Sequence, residues 1–228
     1  VYIIRGGGEI EFKGQEISLY IEDFEFFLPL FGVALLGWTQ RWSKNTIVMH
    51  GGIFRYKKKT FVVFGNNGSG KTTLLLNLSY SIPEVRFLCD DIVLLIRKNR
   101  KIYVRPILNG NIGEIKNEVM KSFAKKLNYE RPLYQMDTLY EVDKILFLKL
   151  CSPKRETTIK KIKSLEAFKQ FISHAFLAPF LVEHMDKAVE ILLTLLKRTM
   201  AYQINLGLDL KSPGESYKKF IKNIFDER

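Results

Sequence analysis

From Thr46 onward the apolar positions fall in short β-rich runs, Ile47 to Met49, Ile53 to Tyr56 and Thr60 to Phe64. The last is a continuous apolar stretch of the kind buried on both faces of a sheet. The period then changes. Leu74, Leu75 and Leu78 recur at helical spacing, which predicts a helix over Lys71 to Ser81 ended by Pro83. A short strand follows at Arg86 to Cys89, then a hairpin of Ile92 to Ile96 and Ile102 to Val104 turning at Lys98-Asn99-Arg100. The polar region from Asn109 to Asp137 holds one predicted helix. Lys144 to Leu150 and Thr157 to Ile162 read as strands, Ser164 caps a helix through Phe176, and a second helix runs from about Leu181 to Arg198. Tyr202 to Leu206 is a last strand. Ser212-Pro213-Gly214-Glu215 reads as a capping box with proline at the first helical position, opening a final helix. Strands alternating with helices predict an α/β domain over residues 46–228, a mixed β-sheet flanked by helices.

Residues 1–45 differ. They begin with Gly6-Gly7-Gly8 and short polar–apolar alternation, then enter an apolar segment ending at Trp38, and are expected to form an N-terminal extension packed on the core. The segment from Phe26 to Trp38 contains Pro29 and Gly32 and falls short of the roughly 20 residues a membrane-spanning helix needs. It reads as a buried or docking helix. The chain opens on Val1 with no charged-then-apolar leader, which is read as a trimmed or omitted start with sequence missing upstream.

With 228 residues, 46% of them hydrophobic, the chain can bury one sizeable core. Its two cysteines, Cys89 and Cys151, are too few for a disulfide framework and lack metal-ligand spacing, so a reducing cytoplasmic setting is expected. The net charge of +12 bunches at Lys57-Lys58-Lys59, at Arg97 to Lys101 and from Lys149 to Lys163. Such a surface is a solubilising lysine coat or attracts an acidic partner. No zinc-finger, RNP1 or helix-turn-helix pattern accompanies it, so nucleic acid is disfavoured as a partner.

One stretch narrows the chemistry sharply. Gly65-Asn66-Asn67-Gly68-Ser69-Gly70-Lys71-Thr72 matches G-x-x-x-x-G-K-[ST] in full, between an apolar strand and a helix. This is the Walker A, or P-loop, context. Glycines let backbone N–H groups close on a phosphate, while the helix N-terminus adds partial positive charge. Lys71 is expected to reach the β- and γ-phosphates of ATP, and the Thr72 hydroxyl to hold Mg²⁺. Thr73 is a weaker candidate for the same loop. About 20 residues after Lys71, the strand Arg86 to Cys89 runs into the carboxylate pair Asp90-Asp91.

The loop string resembles that of ABC-type ATPases, but no LSGGQ-like signature follows, and no switch or NKxD-type motif of a GTPase is present. Met49-His50-Gly51, the strand Thr60 to Phe64, the loop, and Leu88-Cys89-Asp90-Asp91-Ile92-Val93-Leu94-Leu95 together resemble the HPr serine kinase/phosphorylase superfamily. The likeness is close over about residues 46–96, and Tyr202 to Leu210 is similar to the closing strand and turn of its shorter members. No counterpart of the Arg-Gly-Leu-Gly-Ile type signature follows the core, so the resemblance implies a diverged kinase and not the bifunctional form. It implies an HPr-kinase/carboxykinase-like fold, a homo-oligomer, ATP and Mg²⁺ as cofactors, and phosphorylation of a serine in a peptide or protein. A small-molecule alcohol is the second acceptor class, and a nucleotide-dependent switch or DNA-linked ATPase the alternative.

Phosphoryl transfer needs charge neutralisation and a positioned acceptor hydroxyl. Of the two aspartates, Asp90 is assigned the base and Asp91 the metal contact. His50 is expected to orient a carboxylate or touch the γ-phosphate. Arg105 and Arg86 are candidate transition-state cations, whereas His174 and His184 lie on predicted helices without partners.

Overall fold

A computed structural model describes residues 2–4, 8–13, 16–21, 45–90, 92–108, 138–150, 156–174, 185–210 and 213–226. At the start, β1 (Tyr2–Ile4), β2 (Gly8–Lys13) and β3 (Glu16–Ile21) form an antiparallel three-stranded meander. The alternation Glu9-Ile10-Glu11-Phe12 falls within it, in β2. The apolar segment Phe26 to Trp38 and the helix expected between Asn109 and Asp137 lie outside the described residues.

The other strands make one nine-stranded mixed sheet. In chain order they are β4 (Thr46–Tyr56), β5 (Lys59–Gly65), β6 (Val85–Cys89), β7 (Ile92–Lys98), β8 (Lys101–Leu108), β9 (Tyr140–Glu141), β10 (Lys144–Leu150), β11 (Thr158–Ile162) and β12 (Met200–Leu206). Their spatial order is β11-β12-β10-β5-β4-β7-β8-β9, with β6 paired to β4. β10 runs parallel to both β5 and β12, and the remaining pairs are antiparallel. The described helices are α1 (Lys71–Ser81), α2 (Ser164–His174), α3 (Met185–Leu196) and α4 (Ser216–Asp226).

The period of two along β5 explains its unbroken apolar run. Phe61 and Val63 pack with Leu74, Leu75 and Leu78 of α1 and Phe220 and Ile224 of α4. Val62 and Phe64 face the opposite way, toward Phe171 of α2 and Ile191 and Leu195 of α3. Both faces are thus covered by helices, and each such side chain contributes about 1.5–3 kcal/mol by its burial. The sheet also curls back on itself. Val142 donates its N–H to the Ile102 carbonyl at 3.3 Å, and the next residue, Asp143, donates to the Thr60 carbonyl at 3.0 Å. The Asp143 carboxylate in turn accepts from the Thr60 N–H at 2.8 Å, so the link from β9 to β10 holds β8 close to β5.

Two elements depart from the sequence reading. The runs Ile47 to Met49 and Ile53 to Tyr56 are one strand of 11 residues, continuous through His50-Gly51-Gly52. Glycine reads locally as punctuation, but here partners on both sides supply the pairing. α4 begins at Ser216, with Pro213 and Gly214 before it and Ser212 outside the described residues, so no proline stands at its first position. Gly214 donates its N–H to Ser81 Oγ at 3.0 Å, tying this entry to the end of α1. The expected turn at Asn99-Arg100 is present, both residues having positive φ (51° and 61°), which suits a tight hairpin. Among the described residues no helix is long and apolar enough to cross a membrane.

Candidate active site

The loop from Gly65 to Gly70 leaves the C-terminal end of β5 and turns into α1. Ser69 donates its N–H to the Asn66 carbonyl at 3.0 Å, closing the turn. Gly68 and Gly70 have φ of +75° and +90°, a left-handed conformation that only glycine adopts freely. Gly65 is required for a different reason: a Cβ there would lie 2.4 Å from Ser69 Oγ and 2.9 Å from the Leu148 carbonyl of β10. Gly70 caps α1 without a side-chain hydrogen bond, and the first turn carries no acidic residue. The helix therefore presents its first N–H groups, with their partial positive charge, to the hollow of the loop. Lys71 is buried, its Nζ donating to the carbonyls of Gly65 at 2.9 Å and Asn66 at 3.2 Å. Ser69 Oγ is buried with no hydrogen-bond partner among the described residues, while Asn66, Asn67 and Thr73 are exposed.

Across from the loop, β6 and β7 lie end to end along one edge of β4. Cys89 pairs with Ile53 and Ile92 with His50, so the interruption between the two strands faces Gly51 and Gly52. Asp90 sits there, buried, and Thr72 Oγ1 donates a hydrogen bond to its Oδ2. The glycine pair makes this possible. A Cβ on Gly52 would fall 2.3 Å from Leu75 Cδ1, 3.1 Å from the Cys89 carbonyl and 3.3 Å from Asp90 Oδ1. Gly51 faces the other side, where a Cβ would lie 2.7 Å from the Val63 carbonyl. His50 stands two positions before Gly52 and shares its face, about 7 Å along the strand. It is half-buried. Asp91 lies outside the described residues.

The remaining candidates separate by strand alternation. Val85 and Phe87 pack on the side of α1, so Arg86 between them points to the opposite face and is exposed. Ile102 and Val104 pack toward α2 and α3, which leaves Arg105 on the face that carries His50. His174 ends α2, and His184 and Cys151 lie outside the described residues. Sequence reasoning missed Gly52 and Leu206. The first was legible as a Gly-Gly pair inside a β-rich run, whereas the nearness of Leu206 to Gly70 depends on the order of distant strands.

The donors suit a hard cation. Thr72 and Asp90 offer oxygen ligands of the type Mg²⁺ takes, and among the described residues no cluster of three or more His, Cys, Asp or Glu could hold a metal by itself. A cation at Thr72 and Asp90 would therefore draw its other ligands from phosphate oxygens and water, the usual manner of Mg²⁺.

Among solved structures the chain is similar to the Hpr(Ser) kinase/phosphatase from Coxiella burnetii, with 14% sequence identity and a TM-score of 0.38 over 78% of this chain and 87% of that one. No family model matches, and no curated protein matches the sequence. The chemistry of the site rests on the loop, Thr72 and Asp90.

Proposed function

We propose that the chain is a Mg²⁺-ATP-dependent kinase that transfers the γ-phosphoryl group of ATP to a hydroxyl, with a serine of a peptide or protein as the acceptor. The observation that carries this reading is the hydrogen bond from Thr72 to Asp90 at the mouth of a full glycine loop. It joins a hydroxyl at the start of a helix to a carboxylate at the end of a separate strand, where a triphosphate and its cation would meet.

In this reading the backbone N–H groups from Asn67 to Thr73 cradle the phosphates, and Lys71 swings from the Gly65 and Asn66 carbonyls toward the β- and γ-phosphate oxygens. Thr72 and Asp90 would hold Mg²⁺, which would supply charge neutralisation for the transferred phosphoryl group. The sequence alone gave Asp90 the base and Asp91 the metal; the Thr72 hydrogen bond favours the opposite division. Asp91 then accepts the proton of the acceptor hydroxyl as its oxygen bonds to the γ-phosphorus, and the bond to the β–γ bridging oxygen breaks to release ADP. His50, on the same face as Gly52, orients the acceptor or contacts the γ-phosphoryl group.

The test is incubation of the purified chain with γ-labelled ATP and an extract of its source cells, followed by mass spectrometry of the labelled species. Label on a seryl residue, absent with Lys71→Ala, supports the reading. Label on a small alcohol would move the acceptor class. Hydrolysis of ATP with no labelled acceptor would refute the kinase.

A further inference from the structure

The triphosphate chain has two ends, and the loop has two sides. On one side stand Gly52, Asp90 and His50, on and beside β4; on the other, β10 and then β12 run parallel to β5 and end at the level of the loop. If the γ-phosphoryl end lies toward Asp90, the nucleoside leaves toward β12. There the chain turns a corner. Leu206, the last residue of β12, reaches within 3.0 Å of the Cβ position of Gly70, at the very start of α1. Leu208 follows, half of its surface open at 50% exposure, beside a buried Leu210. Leu208 thus keeps an apolar side chain half open to solvent two residues beyond the one that meets Gly70.

The corner is tied down by hydrogen bonds, and it carries a carboxylate that they orient. Asp209 Oδ1 accepts hydrogen bonds from the Thr157 N–H at 2.9 Å and from Thr157 Oγ1 at 2.6 Å. Thr157 Oγ1 in turn accepts from the Gly207 N–H at 3.0 Å. From below, the Leu210 carbonyl accepts from Tyr217 Oη at 2.5 Å, and Tyr217 is bonded to Asn77 of α1 at 3.1 Å. The corner and the phosphate-loop helix are thereby parts of one frame. An exposed apolar side chain beside an oriented carboxylate matches the two faces of a nucleoside, a flat base and a pair of ribose hydroxyls.

The geometry points to the corner from Leu206 to Asp209 as the nucleoside subsite of the nucleotide, with Leu208 against the base and the Asp209 carboxylate accepting from the ribose hydroxyls. This rests on the reading of the loop as a triphosphate cradle. It makes Leu208 and Asp209 the residues that separate a nucleoside triphosphate from a bare polyphosphate.

Calorimetric titration of the full chain with Mg²⁺-ATP, Mg²⁺-tripolyphosphate and Mg²⁺-2′,3′-dideoxy-ATP tests it. Leu208→Ser, at an exposed position, should weaken ATP by about tenfold, equivalent to about 1.4 kcal/mol, and leave tripolyphosphate unchanged. Asp209→Asn should weaken ATP and bring it level with dideoxy-ATP, which the wild type binds less tightly. ATP affinity equal to wild type in both variants, with tripolyphosphate still bound, overturns the subsite and leaves the kinase standing. A wild-type chain that binds neither ATP nor tripolyphosphate overturns both.

Discussion

Thr72 and Asp90, 18 positions apart in the chain, meet through a hydrogen bond from the threonine hydroxyl to the aspartate carboxylate. One belongs to the first turn of α1, and the other directly follows the last residue of β6. If they hold Mg²⁺ together, Asp90→Asn should weaken metal-dependent nucleotide binding, and raising the Mg²⁺ concentration should partly restore it. Asp91→Asn should instead leave affinity nearly unchanged and lower phosphoryl transfer by roughly 10²–10⁴-fold. Titrations paired with transfer assays distinguish the two, and the reverse pattern would return the base to Asp90.

Gly52 leaves the room in which Leu75, Cys89 and Asp90 come together. Gly52→Ala would set a methyl group 2.3 Å from Leu75 Cδ1 and 3.1 Å from the Cys89 carbonyl, so we expect a loss of about 1–3 kcal/mol in urea denaturation. The cost should be smaller in a Leu75→Ala background, because the first of those contacts is then gone. Equal costs in both backgrounds would mean that the methyl is accommodated elsewhere.

The sequence disclosed the loop, α1, the hairpin of β7 and β8 and the strand leading to Asp90, because apolar periodicity and the Gly-Lys-Thr spacing are local signals. It did not disclose that His50-Gly51-Gly52 continues β4. That depends on β5, β6 and β7, which pair with β4 from positions later in the chain. Nor did it show Lys144, a lysine that opens an apolar strand yet is buried. Its meaning appears only when the end of α4 is brought over it. Thr72 and Asp90 could each be nominated from sequence, but their contact could not, since it needs both the helix direction and the strand order.

Lys144 Nζ donates to the Ile224 carbonyl, lies 3.5 Å from the Phe225 carbonyl, and sits 5.3 Å from the centre of the Tyr202 ring. A cation at the C-terminal end of a helix stabilises it, and the buried carbonyls lose their partner if it is removed. Lys144→Met should therefore cost about 1–3 kcal/mol and speed hydrogen exchange in the last turn of α4. Unaltered exchange there would contradict the capping role.

Burial pushes the Tyr217 hydroxyl above the ordinary tyrosine value of about 10, against a smaller opposing effect of its bond to Asn77. The folded chain thus keeps this proton while the unfolded chain releases it above about pH 10, so this stabilisation is complete below that pH and declines above it. In Tyr217→Phe the bonds to Asn77 and Leu210 are lost, at about 1–3 kcal/mol near neutral pH. The stability difference between wild type and variant should then narrow as pH rises past 10. A constant difference from pH 8 to 11 would show that the hydroxyl ionises alike in both states.

The central claim is that the loop from Gly65 to Thr72 binds Mg²⁺-ATP, and calorimetric titration of the wild-type chain beside Lys71→Ala measures it directly. One saturable site that requires Mg²⁺, lost in Lys71→Ala while the melting temperature without nucleotide stays close to wild type, is the predicted result. Failure of the wild type to bind, or equal binding by the folded Lys71→Ala variant, would contradict it.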